Sequence, residues 1–155
     1  MDAEVATTRK MLQRVPNDQW DWKPHPKSMS MRQLTTHLAE ISGWVATVLN
    51  TSVLDFAASP YQPALVSSTN DLLELLEKSA AESRSRLEQA MEEELLSTWT
   101  MQMGEQVLMV FTRYEAIRHA FAQMIHHRAQ LGVFLRLLHI PIPGSYGPSA
   151  DEMGF

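Results

Sequence analysis

The segment from Thr112 to His139 limits this chain more than any other. Thr112-x-x-Glu115 is a capping box, and behind it Ile117, Phe121, Met124, Leu131, Leu135 and Leu138 repeat with helical spacing until Pro141 forbids continuation. A long helix with one apolar stripe is stable only when other elements cover that stripe. The rest of the sequence supplies them. Ser30-x-x-Gln33 is a second capping box, opening a helix expected to run to about Asn50, and Ser68-x-x-Asp71 opens a third, expected to reach about Leu95. A shorter pattern over residues 3 to 14 is ended by Pro16.

Between these helices lie three connections. Asn17 to Ser28, just after Pro16, carries two tryptophans and two prolines and reads as an ordered loop whose indoles fold back on the helices. Residues 51 to 67, with Pro60 and Pro63, read as a crossover loop. Thr98 to Phe111 mixes β-branched and apolar residues around Gly104; a hairpin-like excursion or a broken helical turn both fit, and the segment is assigned as loop. The resulting expectation is one domain over residues 1–155, all-α, an antiparallel four-helix bundle with a long crossover connection and a structured C-terminal tail.

Composition narrows function by exclusion. The net charge is −5 and the 13 basic residues are scattered, which argues against a nucleic-acid partner. With no cysteine, disulfides and thiolate metal sites are excluded, so a metal would need nitrogen and oxygen donors. The first ten residues lack the basic-then-apolar order of a secretory signal, and no apolar run reaches the length of a membrane helix. A cytoplasmic protein without a membrane partner is expected.

The side chains able to do chemistry lie on the second and fourth helices. At 100° per residue, His37 falls on the apolar stripe with Leu34, Leu38, Ile41 and Trp44. On the last helix His127 and Gln123 are i,i+4 neighbours on one side of Met124, whereas His126 points away. If the two helices pack together, His37, Gln123 and His127 form a three-donor metal site with an open position. The amide oxygen of Gln123 is a poor ligand beside an imidazole, so occupancy should be weak or nil; His119, one turn earlier, is the alternative donor. A lone histidine in an apolar stripe is more often a hydrogen-bonded core residue. Arg128, also facing inward, needs a carboxylate, for which Asp151, Glu152 and Glu40 are candidates; clamping the tail is its simplest role. His25, between two prolines, is read as exposed, and the 10 methionines and 4 tryptophans as core and interface filler.

The segments WDWKPHPKSMSM, SMSMRQLTTHLAE around His37, HHRAQLGVFLRLL from His126 and IPIPGSYGPSADE at the end, in this order, resemble the DinB/YfiT-like superfamily over nearly the whole chain. The resemblance implies a four-helix bundle, commonly a homodimer, whose metal site uses one histidine of the second helix and two of the fourth. Those positions are His37, residue 123 and His127, and residue 123 here is glutamine. It further implies a divalent ion (Ni, Zn, Mn or Fe) activating a thiol or water, as in thiol-dependent transferases or metal-dependent hydrolases, on a small-molecule substrate left open. The other reading is a non-catalytic small-molecule-binding or structural dimeric module that has lost the metal through Gln123. DNA binding, suggested only by the family's name, conflicts with the charge.

Overall fold

A computed structural model describes residues 1–154. Its elements are α1 (Asp2–Leu12), α2 (Met31–Ile41), α3 (Trp44–Asn50), β1 (Val53–Asp55), α4 (Thr69–Glu88), α5 (Glu92–Leu95), β2 (Thr98–Met103), β3 (Gln106–Thr112) and α6 (Arg113–Leu137). All three capping signals form: Ser30, Ser68 and Thr112 each accept the backbone N–H three residues on, and Gln33, Asp71 and Glu115 return the bond. Helices α1, α2, α4 and α6 enclose a core that includes Leu12, Met31, Leu34, Leu38, Leu72, Leu76, Leu131 and Leu135, each almost wholly buried.

The expected all-α architecture is overturned. A three-stranded sheet of order β1-β2-β3 is present, with β1 parallel to β2 and β2 antiparallel to β3. The stretch assigned as loop, 98 to 111, is the β2–β3 hairpin, turning at Gly104 with φ +59°, a left-handed conformation that favours glycine. Its Thr, Trp, Val and Phe residues suit a pleated strand; Trp99 of β2 is packed, 3% exposed, whereas Gln106 to Val110 of β3 are exposed on both faces. The crossover segment supplies β1. Asp55 fixes it to the hairpin by accepting the N–H of Gly104 at 2.9 Å and the amide of Gln102 at 3.0 Å, which pulls its carboxyl down to about 2. Trp99, Val45, Val48, Leu49, Ala116 and Ile117 form a second apolar cluster beneath the sheet.

Two expected helices are also shorter than their sequence patterns. The second breaks at Ser42–Gly43, where it passes α4 closely: a Cβ on Gly43 would sit 3.4 Å from that of Ser79. Ser42 Oγ bonds back to the Ala39 carbonyl, and Ser83 Oγ of α4 accepts the Ala46 N–H. The third ends at Glu88 and resumes only as α5. Glu94 of α5 then ties α4 to the hairpin end, pairing with Arg86 and, at 3.0 Å, with Arg113.

Arg128 does clamp the tail, but not through the expected carboxylates. It is 1% exposed; Nη1 donates to Glu4 Oε2 of α1 at 2.7 Å and to Thr8 Oγ1, and Nη2 donates to the Tyr146 hydroxyl at 2.8 Å. Tyr146 OH in turn donates to the Glu4 carboxylate at 2.9 Å. Asp151 instead meets Arg136 with two bonds of 3.0 and 2.6 Å, Glu152 accepts the N–H groups of Gly144 and Ser149, and Glu40 lies elsewhere. The two tryptophans of the first loop fold back as expected: Trp20 is buried under the Arg32 guanidinium, and Trp22 meets Phe134 edge to face at 5.4 Å. Among the described residues no helix is long and apolar enough to cross a membrane.

Candidate metal and ligand site

The packing of α2 against α6 brings His37 and His127 together, their rings edge to face at 4.8 Å. Each is half-buried. His127 Nδ1 donates to Gln130 Oε1 at 3.0 Å, one turn further along α6, which orients the ring and leaves the Nε2 lone pair free. Around His37 the walls are aromatic: Trp44 stands at 5.6 Å and Tyr61 at 6.2 Å, both edge to face. Tyr61 OH donates to Glu40 Oε2, and the N–H of Ala64 donates to Glu40 Oε1 at 2.8 Å, so the carboxylate one turn beyond His37 is held by the crossover segment.

Burial lowers the pKa of both imidazoles. For His37 the neighbouring His127 adds to the lowering and the Glu40 charge partly opposes it. For His127 the bond to Gln130 opposes burial and the adjacent His126 adds to it. Both rings are therefore neutral near pH 7, the state in which imidazole binds a metal or accepts a proton. Burial together with the Glu40 bond raises the Tyr61 phenol well above its ordinary value, so it stays protonated.

Gln123 does not join this pair. Its amide Nε2 lies 3.5 Å from His119 Nε2, at the outer limit of a hydrogen bond in which the amide donates. His119 stacks on Phe111 of β3 at 5.6 Å between centroids. His126 is exposed, its ring 5.0 Å from His127, and His25 is exposed.

Does this donor set fit a divalent ion? Two neutral imidazoles from facing helices, one of them carrying the outer hydrogen bond that metal-ligating histidines need, fit. Imidazoles sharing an ion through nitrogens ~2 Å away lie roughly 5 Å apart between centroids, in keeping with the observed spacing. The third donor is weaker: among the described residues no group of three or more His, Cys, Asp or Glu side chains is placed to hold a metal. The amide of Gln123, a neutral oxygen donor once turned from His119, is what the helix offers there.

Beside the pair lies a cavity of about 180 Å³ between α3, α6 and the sheet. Trp44 and Tyr61 line it as well as facing His37, and His119 lines its α6 side, so cavity and histidine pair share walls. Sequence reasoning placed His37, Trp44 and His127 correctly on inward faces but gave Trp44 no role beyond filling space. It gives no signal for Tyr61, which lies in the crossover connection, or for Phe111, whose segment is a strand and not the expected loop. Glu40 was weighed only as a partner for Arg128; its i,i+3 spacing from His37 was the signal available.

Comparison with solved structures gives close likenesses of fold at low sequence identity. A DinB-like protein of Bacillus subtilis is 21% identical with a TM-score of 0.72, the match covering 92% of each chain. A DinB-like protein of Bacillus cereus is 14% identical with a TM-score of 0.66, covering 94% of this chain and 92% of that one. A protein placed in the DinB family from Exiguobacterium sibiricum is 22% identical with a TM-score of 0.67, covering 97% and 90%. No curated protein matches the chain. The sequence profile of the DinB family matches residues 2–154, and with that span the chain belongs to the DinB family.

Proposed function

We propose that this DinB-family chain is a metal-dependent enzyme of the thiol-transferase or hydrolase type, with His37 and His127 holding one divalent ion (Ni, Zn, Mn or Fe) and Gln123 as a weak third donor. One observation carries the reading: two neutral imidazoles from separate helices meet at 4.8 Å, and Trp44 and Tyr61, which face His37, also line a neighbouring cavity able to admit a small molecule. A divalent ion bound there lowers the pKa of a thiol or water toward neutrality. The chain's own groups supply the rest. Gln130 fixes the His127 ring, Trp44 and Tyr61 pack edge to face against His37, and Glu40 sets a negative charge beside that ring. The carboxylate, with its hydrogen bonds from Tyr61 and Ala64, is the group placed to take up a proton released at the site.

A second reading is favoured by the amide of Gln123, which faces His119 rather than the pair. In it the chain keeps the cavity as a small-molecule-binding or structural dimeric module without metal. Metal analysis after supplementation with nickel, zinc, manganese and iron separates the two. Bound metal near one ion per chain supports the enzyme, and none after supplementation leaves the metal-free module.

A further inference from the structure

We infer that the cavity between α3, α6 and the sheet is the site for an uncharged, planar apolar molecule of one or two rings carrying a single hydrogen-bonding group. The inference rests on the reading above only in taking this cavity as the substrate side of the His37–His127 pair.

Size, lining and polarity each limit the ligand. The volume is about 180 Å³, below the ~300 Å³ at which drug-sized pockets begin, and close to the engineered apolar cavity of ~150 Å³ that binds benzene in another protein. Trp44, Trp99, Phe111, Leu54 and Met101 give flat and adaptable walls from two helices' worth of scaffold and the sheet. Among the described residues no Asp, Glu, Lys or Arg lines the space. A carboxylate, phosphate or ammonium entering it would lose its hydration without gaining a partner charge.

Several polar groups in the lining are already committed within the protein. Trp99 Nε1 donates to Thr51 Oγ1 at 3.0 Å, Thr47 Oγ1 donates to the Gly43 carbonyl, and Tyr61 OH donates to Glu40. What is left is the His119 imidazole, bound to Gln123 only by the long 3.5 Å contact, the indole N–H of Trp44, and the hydroxyl of exposed Ser59 at the opening. One ligand hydrogen-bonding group, met by His119 or by the Trp44 N–H, completes the site, with the ring plane against Trp99 or Phe111. This excludes the charged low-molecular-weight thiols from the cavity itself and leaves it to the apolar partner of any reaction at the histidine pair.

Indole is the test probe and indole-3-acetate its charged counterpart, titrated calorimetrically into chelator-treated full-length protein. The expected result is saturable binding of indole at one site, with indole-3-acetate at least about tenfold weaker because its carboxylate is desolvated unpaired. Ser59→Trp, at an exposed position on the opening, and Ala116→Leu, on the α6 wall, should each weaken indole at least about tenfold by filling the space. Absence of saturable indole binding, equal affinity for both probes, or wild-type affinity in both variants overturns the inference. Cobalt(II) titration of the same preparation addresses the metal separately. Indole binding by protein that takes up no cobalt(II) supports the cavity assignment while removing the metal reading.

Discussion

The rings of His37 in α2 and His127 in α6 meet edge to face at 4.8 Å, each lowered in pKa chiefly by its own burial. Two half-buried imidazoles side by side are costly as cations and useful as neutral donors. Trp44 and Tyr61, which face His37, join the pair to an aromatic cavity.

Restoring an imidazole at the third position should strengthen metal binding. Gln123→His places i,i+4 histidines on α6 and should raise affinity for zinc or nickel by about 10- to 100-fold, read by competition with a chromogenic chelator. Unchanged affinity would mean that residue 123 cannot turn to the pair.

The Arg128–Glu4 pair should be worth more to stability than any surface ion pair here. Arg128 is almost wholly buried, so Glu4→Ala leaves its charge uncompensated and should cost about 3 kcal/mol in urea unfolding. Tyr146→Phe removes one hydroxyl bridging the two and should cost about 1 kcal/mol. A loss below about 1 kcal/mol for Glu4→Ala would show that Arg128 finds another partner.

Acid should loosen the tail. Arg136, followed by the N–H of Ile142, holds the Asp151 carboxyl down to about 2 from its ordinary 3.8. A depressed carboxyl contributes stability that is complete above the unfolded value and is lost as pH falls through about 2. Between pH 5 and 2 the melting temperature of wild type should therefore fall more steeply than that of Asp151→Asn. Parallel curves would remove Asp151 as a source of acid sensitivity.

The break between α2 and α3 should depend on one hydroxyl. Ser83 is fully buried and accepts the Ala46 N–H at 3.1 Å, so Ser83→Ala orphans a buried donor and should cost roughly 1–3 kcal/mol. A neutral effect would mean that the helix closes through the break.

What the sequence made legible was local. The capping pairs at Ser30, Ser68 and Thr112 act over three residues, and the stripe carrying His37 and Trp44 needs only helical spacing. The Ser42–Gly43 break was hidden because α4 causes it, through Ser79 and Ser83. The sheet was hidden because β1 has three residues and pairs Val53 with Thr100, far along the chain. Arg128 was rightly read as needing a carboxylate, yet Glu4 lies 124 residues away at the other end of the chain. Long-range partners of this kind leave no mark in spacing. The histidine pair was legible only because each ring lies on its own helix's apolar face.

Cobalt(II) titration of wild type and His37→Ala, followed by ligand-field absorption, tests the site most directly. The account predicts about one ion per wild-type chain in a spectrum typical of few, mixed nitrogen and oxygen donors, and its disappearance in His37→Ala at unchanged folding. Wild type that binds no ion, or His37→Ala that binds it as well as wild type, would contradict it.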